Sequence, residues 1–196
     1  MERTLKGKTV AILAADGFEQ VELAEPKRAL EQAGAVTRIV SPAKGQVKGW
    51  NRTEWGDAFP VDVPLDHARA EEYDALMLPG GVMNPDHLRR NPKALSFVRG
   101  FFEAGKPVAA ICHAPWTLID AGVVRGRTLT SYETVQTDLR NAGANWVDRE
   151  VVVDNGLVTS RKPDDIPAFN RKMVEEFAEG RHTTGGARGR EKVGLH

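Results

Sequence analysis

The chain has 196 residues, enough for one domain that buries most of the surface its unfolded form would expose, so no staple is required. Its 27 Lys and Arg balance 27 Asp and Glu, and a formal net charge of zero supplies no field to attract nucleic acid or an anionic membrane. One cysteine excludes an internal disulfide, and no Cys/His set has zinc-ligand spacing; a free thiol fits a reducing compartment, so a cytoplasmic location is expected.

Four of the first eight residues are charged, and the apolar run from Val10 to Ala15 is too short for a signal-peptide core or a membrane span. Short β-rich apolar runs then alternate with stretches of helical period, the pattern of a parallel sheet flanked by helices on both faces. Val10 to Leu13 reads as a buried strand. Val21 to Ala33 reads as a helix with Val21, Ala24, Ala29, Leu30 and Ala33 apolar, Gly34 ending it and Pro26 early in it. Val36 to Val40 is the second strand. Between Asp57 and Leu65 an alternation broken by Pro60 and Pro64 predicts an exposed edge strand or hairpin.

Ala75 to Leu78 predicts a buried strand running into the glycine loop Pro79-Gly80-Gly81. Asn91-Pro92 supplies the N-cap and first-turn proline of a helix reaching Gly105, with Leu95, Val98, Phe101 and Phe102 inward. Pro107 to Ile111 is the next strand, and Cys112 falls at its carboxyl end, before a helical stretch from His113 to Ala121. Val151 to Val153 and Leu157 to Thr159 form a hairpin across Asp154-Asn155-Gly156, and a final helix runs from about Pro163 to Ala178. Residues 1–180 therefore form a single domain. From Arg181 the composition turns to Gly, Thr and Arg without apolar period, so 181–196 reads as a tail, with a partner-binding role open.

Sites in open α/β sheets lie outside the carboxyl ends of the strands. Three segments qualify: Ala15 to Glu19, Pro79 to Gly81, and Ile111 to Pro115. Cys112 sits where a strand turns into a helix, an elbow that projects its side chain. A helix N-terminus there would favour the thiolate and lower the thiol pKa. The N–H groups of Gly81 and His113 are candidate donors to an oxyanion. Against this, free cysteine often merely packs. A histidine one residue along a helix also points about 100° away, so His113 reaches the sulfur only if Cys112 is strained.

The segments Ala110-Ile-Cys-His-Ala-Pro115, Leu78-Pro-Gly-Gly81, Asp16-Gly-Phe-Glu-Gln-Val-Glu-Leu23 and Thr159-Ser-Arg-Lys-Pro163 resemble the PfpI family of intracellular proteases and deglycases, within the ThiJ/PfpI superfamily, over about residues 8–179. The resemblance implies a flavodoxin-like doubly wound fold related to class I glutamine amidotransferases, and homodimers or homohexamers. It implies no cofactor. It makes Cys112 the nucleophile, Glu19 the protonated carboxyl at the sulfur and His113 the neighbouring base. Asp86 is the nearest match to a third member contributed by an adjacent subunit. Ala114 stands where many relatives have Gly, narrowing the pocket, and Tyr132 matches a pocket-wall position. Asp16 and Glu22 read as charges capping or solvating the first helix, and His67, His87, His182 and His196 as surface residues.

The expected function is cysteine-dependent hydrolysis, of peptide amides or of glyoxal and methylglyoxal adducts on proteins and peptides, with small carbonyl compounds as further substrates and stress protection as the setting. The rival is a redox sensor or stress chaperone that uses an oxidisable Cys112. A flavin-binding role is disfavoured, because the loop after the first strand lacks a phosphate cradle.

Overall fold

The computed structural model describes residues 4–182. In chain order the first half contains β1 (Thr9–Leu13), β2 (Phe18–Glu19), α1 (Gln20–Gln32), β3 (Val36–Ser41), β4 (Gln46–Asn51), β5 (Glu54–Pro60), β6 (Val63–Pro64), β7 (Ala75–Leu78) and α2 (Met83–Arg89). Then follow α3 (Pro92–Glu103), β8 (Val108–Ile111), α4 (Pro115–Asp120), β9 (Thr128–Leu129), α5 (Gln136–Asn141), β10 (Asn145–Trp146), β11 (Val151–Asp154), β12 (Leu157–Ser160) and α6 (Ile166–Glu179).

Seven strands form the central sheet in the order β11-β12-β8-β7-β1-β3-β6, parallel throughout except for the edge strand β11. The order of β3-β1-β7-β8-β12, second-first-third-fourth-fifth along the chain, is that of a flavodoxin-like doubly wound sheet. β1, β7 and β8 are neighbours, so their carboxyl ends converge as predicted.

Alternation along the buried strands divides the core into two. Ala11, Leu13, Leu76, Leu78, Val108 and Ala110 face Leu88, Phe97, Phe101, Leu118 and Leu139 of α2 to α5. Val10, Ile12, Ala75, Met77, Ala109 and Ile111 face Leu23, Leu30, Phe169, Met173 and Phe177 of α1 and α6. Both faces being covered, the strands are apolar runs rather than alternating ones.

The stretch from Asp57 to Leu65 divides between two sheets. β5 pairs antiparallel with β4, and β6 lies parallel beside β3. β4 escapes the sequence reading because Gln46-Val-Lys-Gly-Trp-Asn51 mixes Lys, Gly and Asn into a strand that is only half covered. α1 differs in its buried face. Glu22, Leu23, Pro26 and Leu30 point inward while Val21 is exposed, and Pro26 lies inside the helix, leaving the carbonyl of Glu22 without its usual N–H. The Asp154-Asn155-Gly156 turn is as expected, with positive φ at Asn155 (46°) and Gly156 (81°).

His67 and His87 are exposed as expected, and His196 lies outside the described residues. His182 is not a free surface residue: its N–H donates to the carbonyl of Gly105 (2.8 Å) and its imidazole faces Glu176. Of the segment read as a tail, residues 183–196 also lie outside the described residues. No helix among the described residues is long and apolar enough to cross a membrane.

Asn91 caps α3 as the sequence predicts, its side chain accepting from the N–H groups of Lys93 (3.0 Å) and Ala94 (3.3 Å). Asn91→Ala is expected to lower stability by about 1 kcal/mol, read as a shift of the urea midpoint at unchanged slope.

Candidate active site

β8 stops at Ile111 because the next residue reverses the chain. Cys112 has φ +63°, in the left-handed region that side chains other than glycine seldom adopt. Its N–H donates to the carbonyl of Ser160 (3.0 Å) and its carbonyl accepts from the N–H of Tyr132 (2.9 Å). These bonds hold a conformation that costs about 1–3 kcal/mol. The strain brings Sγ to 3.2 Å from Nδ1 of His113. A histidine that a regular helix would turn away is thereby laid against the sulfur.

The carboxyl at that sulfur belongs to Glu22, not to Glu19. Glu19 ends β2, paired with Trp50 of β4, and its half-buried carboxyl turns to the N–H of Arg52 (3.4 Å). α1 begins only at Gln20, so its helical period places Glu22 on the buried stripe with Leu23, Pro26 and Leu30. Glu22 is fully buried, 0 % exposed. Its Oε2 accepts from the N–H of Gly80 (3.0 Å), and its carboxyl meets the Cys112 thiol. Asp16 caps no helix either; it accepts from the N–H of Lys48 (2.7 Å) and ties the first loop to β4.

Burial pushes the Glu22 carboxyl up to about 8, with the charge of Glu19 adding to it, while hydrogen bonds from Cys112 and from the Gly80 and Gly81 amides pull the other way. Glu22 therefore carries a proton at neutral pH. The Cys112 thiol is also pushed up, by burial first and then by the charge and hydrogen bond of Glu22; the N–H groups of Gly81 and His113 pull it down. This reverses the expected lowering by a helix dipole. α4 has six residues and starts at Pro115, three beyond the sulfur, so its dipole acts weakly at Cys112. Acid and thiol titrate as a coupled pair. Once Glu22 is neutral its charge no longer opposes ionisation of the sulfur, and it can donate to the thiolate.

His113 is buried, which lowers its pKa and keeps the ring neutral, with one nitrogen free to accept a proton. The imidazole stacks on Tyr132 (4.7 Å between centroids) and meets the edge of Trp116 (5.1 Å). Its Nε2 lies 3.4 Å from Oγ1 of Thr134. Asp86 is exposed in the first turn of α2, and among the described residues no hydrogen bond joins it to His113.

The glycine loop fits for steric reasons. A Cβ at Gly80 would strike the Glu22 carboxylate and stand 2.7 Å from Cβ of Cys112, and one at Gly81 (φ +74°) would stand 2.6 Å from the N of Glu19. Asn84, which the sequence reading missed, locks this loop. Its Oδ1 accepts from the N–H of Ala15 (2.7 Å), and its Nδ2 donates to the carbonyls of Pro79 (2.9 Å) and Gly80 (3.1 Å). An asparagine six residues beyond a predicted strand carries no sequence signal beyond its closeness to Gly-Gly. Ala114 is not a pocket wall; it is buried in the core with Ala110 and Leu118. Tyr132 stacks on His113 and on its other side lines a cleft of about 430 Å³ with Ser131, Gln136, Trp146, Asp148 and Arg161, a cleft that neither Cys112 nor His113 lines.

A model of the DJ-1/PfpI family matches residues 8–176. The chain belongs to the DJ-1/PfpI family. Among its relatives is a protein of Thermococcus kodakarensis named a deglycase, 44% identical over 166 residues, covering 85% of this chain and 97% of that one. A Staphylococcus epidermidis protein is 46% identical over 173 residues, covering 87% of this chain and 98% of its own. Among solved DJ-1/PfpI structures, Drosophila melanogaster DJ-1beta superposes with a TM-score of 0.80 at 29% identity, covering 87% of this chain and 90% of that one. A two-domain protein from Anabaena variabilis, with dj-1/thij/pfpi-like and ferritin-like domains, gives 0.81 at 37% identity; the match covers 86% of this DJ-1/PfpI chain but 47% of that longer one.

The raised Glu22 pKa has a signed consequence. The folded state holds this proton more tightly than the unfolded chain, so its stabilising effect is complete below the ordinary carboxyl pKa and is lost as pH rises toward about 8. Urea unfolding across that window is expected to lose about 1.4 kcal/mol per pH unit from this group. Glu22→Gln removes that slope, whereas Glu19→Gln keeps it.

Proposed function

We infer that the chain is a cysteine-dependent hydrolase of the PfpI type, acting on glyoxal or methylglyoxal adducts of proteins and peptides and, with less ease, on peptide amides. The observation that carries this reading is the strained Cys112, with His113 Nδ1 at 3.2 Å, the Glu22 carboxyl at its side and two amides, of Gly81 and His113, directed at the sulfur. The relative named a deglycase supports the same direction.

Cys112 and His113 are only 6 % and 8 % exposed, so the sulfur admits a small electrophile more readily than an extended polypeptide. In the proposed sequence, the thiol proton passes to Nδ1 of His113 while Sγ bonds the electrophilic carbon. The tautomer that accepts at Nδ1 carries its hydrogen on Nε2, toward Thr134. The Gly81 and His113 amides receive the oxygen that gains charge. The leaving nitrogen takes the proton from His113, and water then cleaves the bond to sulfur and restores the thiol. Glu22, neutral when the sulfur is anionic, steadies it by donating a hydrogen bond. Asp86 has no role within one chain; it enters only if a neighbouring copy of a homodimer or homohexamer brings it to His113.

The rival reading of Cys112 as a peroxide sensor gives His113 nothing to do. With a methylglyoxal-modified peptide as substrate, Cys112→Ser is expected to abolish turnover and His113→Ala to lower it by about 100-fold or more. Glu22→Gln should lower it and displace the pH profile, whereas Glu19→Gln should leave both near wild type. Full turnover by His113→Ala would overturn the hydrolase reading in favour of the sensor.

A further inference from the structure

At the end of the molecule opposite Cys112, α6 runs out in Glu176-Phe-Ala-Glu179, and Gly180 (φ +84°) turns the chain back so that His182 folds over the same face. Glu176, Glu179 and His182 each bring a ligand atom to within 4.8 Å of the others. His182 Nε2 stands 3.2 Å from Glu176 Oε2. The two atoms nevertheless fail to form a hydrogen bond, and both are shut off from solvent with no other partner among the described residues. With the imidazole neutral and its hydrogen on Nδ1, Nε2 and Oε2 are two shielded acceptors with room for a cation between them.

We propose that Glu176, Glu179 and His182 bind a zinc ion. Two ligands of a tetrahedral zinc, each at about 2.0–2.1 Å, stand about 3.3 Å apart, close to the separation of this pair. An imidazole with two carboxylates suits zinc and disfavours magnesium and calcium, which take oxygen ligands. The negative end of the α6 dipole adds attraction for a cation. The ring is held in place before any metal arrives. The His182 N–H is anchored on the carbonyl of Gly105 (2.8 Å), and its imidazole lies against Gly156, where a Cβ would come within 2.6 Å of Cδ2. The Lys172 ammonium nearby pairs with Glu175, and the Lys8 ammonium lies beside Gly180.

The ion would clasp the end of α6 to the Gly156 turn and to Gly105 in the turn after α3, at the end of the sheet where β8 and β12 begin. Its role there is to stabilise the fold, a strand's length from the thiol, and it rests on no reading of Cys112. Spacing alone hides the set, because the third ligand lies beyond the helix end.

The test uses the full chain carrying Cys112→Ser, which removes the other zinc-seeking group, titrated with zinc chloride against a chromophoric chelator. One equivalent should bind and Tm should rise. Glu179→Gln, at an exposed position that leaves the fold intact, and His182→Ala should each bind at least about tenfold more weakly and lose the rise in Tm. Absence of zinc binding by the Cys112→Ser chain, or unchanged affinity in Glu179→Gln, would overturn the proposal.

Discussion

The contact between the buried Glu22 carboxyl and the Cys112 thiol is the constraint around which the loops at this end of the sheet are arranged. Neither group belongs alone in a protein interior: a buried carboxylate without a cation and a buried thiolate are each unfavourable. Placed together they can hold one proton and one charge, with the Gly80, Gly81 and His113 amides as fixed dipoles around them. The rest of the architecture serves that juxtaposition. β1, β7 and β8 must be adjacent and parallel to bring the loops together, α1 must start at Gln20 so that Glu22 falls in its first turn, and two glycines must stand where a Cβ has no room.

The loops around the pair are rigid for identifiable reasons. Asn84 satisfies groups on two of them, the N–H of Ala15 and the carbonyls of Pro79 and Gly80, from a position with no access to water. Cys112 is pinned through its own backbone to β12 and to the segment that carries Tyr132. The carboxyl ends of four strands are thus tied by short polar bonds rather than by apolar packing, which keeps the site polar while the two cores beneath it stay dry.

Much of this was legible in the residues. The apolar runs at Val10, Ala75 and Val108 are long enough to be strands and too short to be helices, and Asn91-Pro92 and Asn155-Gly156 mark a helix start and a turn through their own backbone preferences. The elbow at Cys112 followed from its place between a strand and a helix. The choice of carboxylate did not follow. Of the apolar positions read for α1, Val21, Ala24, Ala29, Leu30 and Ala33, only Leu30 and Ala33 are buried; the buried stripe runs through Leu23, Pro26 and Leu30 and takes Glu22 inside. A fully buried glutamate is so unfavourable by itself that only its partner, 90 positions away in the chain, makes the assignment sensible. The thiol's shift was misjudged for a related reason: the helix credited with stabilising the anion is short and begins beyond it.

The aromatic enclosure of His113 reaches beyond chemistry at the sulfur. Trp116 touches the imidazole edge-on while its indole Nε1 donates to Asp138 (2.8 Å) and the Arg89 guanidinium lies over its ring (5.3 Å). An indole so fixed senses the electric state of the neighbouring ring, since an imidazolium draws electron density from an excited indole where the neutral ring does not. Trp116, one of four tryptophans in the chain, thus stands where its emission is coupled to the charge of that ring, an optical gauge built into the chain once the other three indoles are replaced.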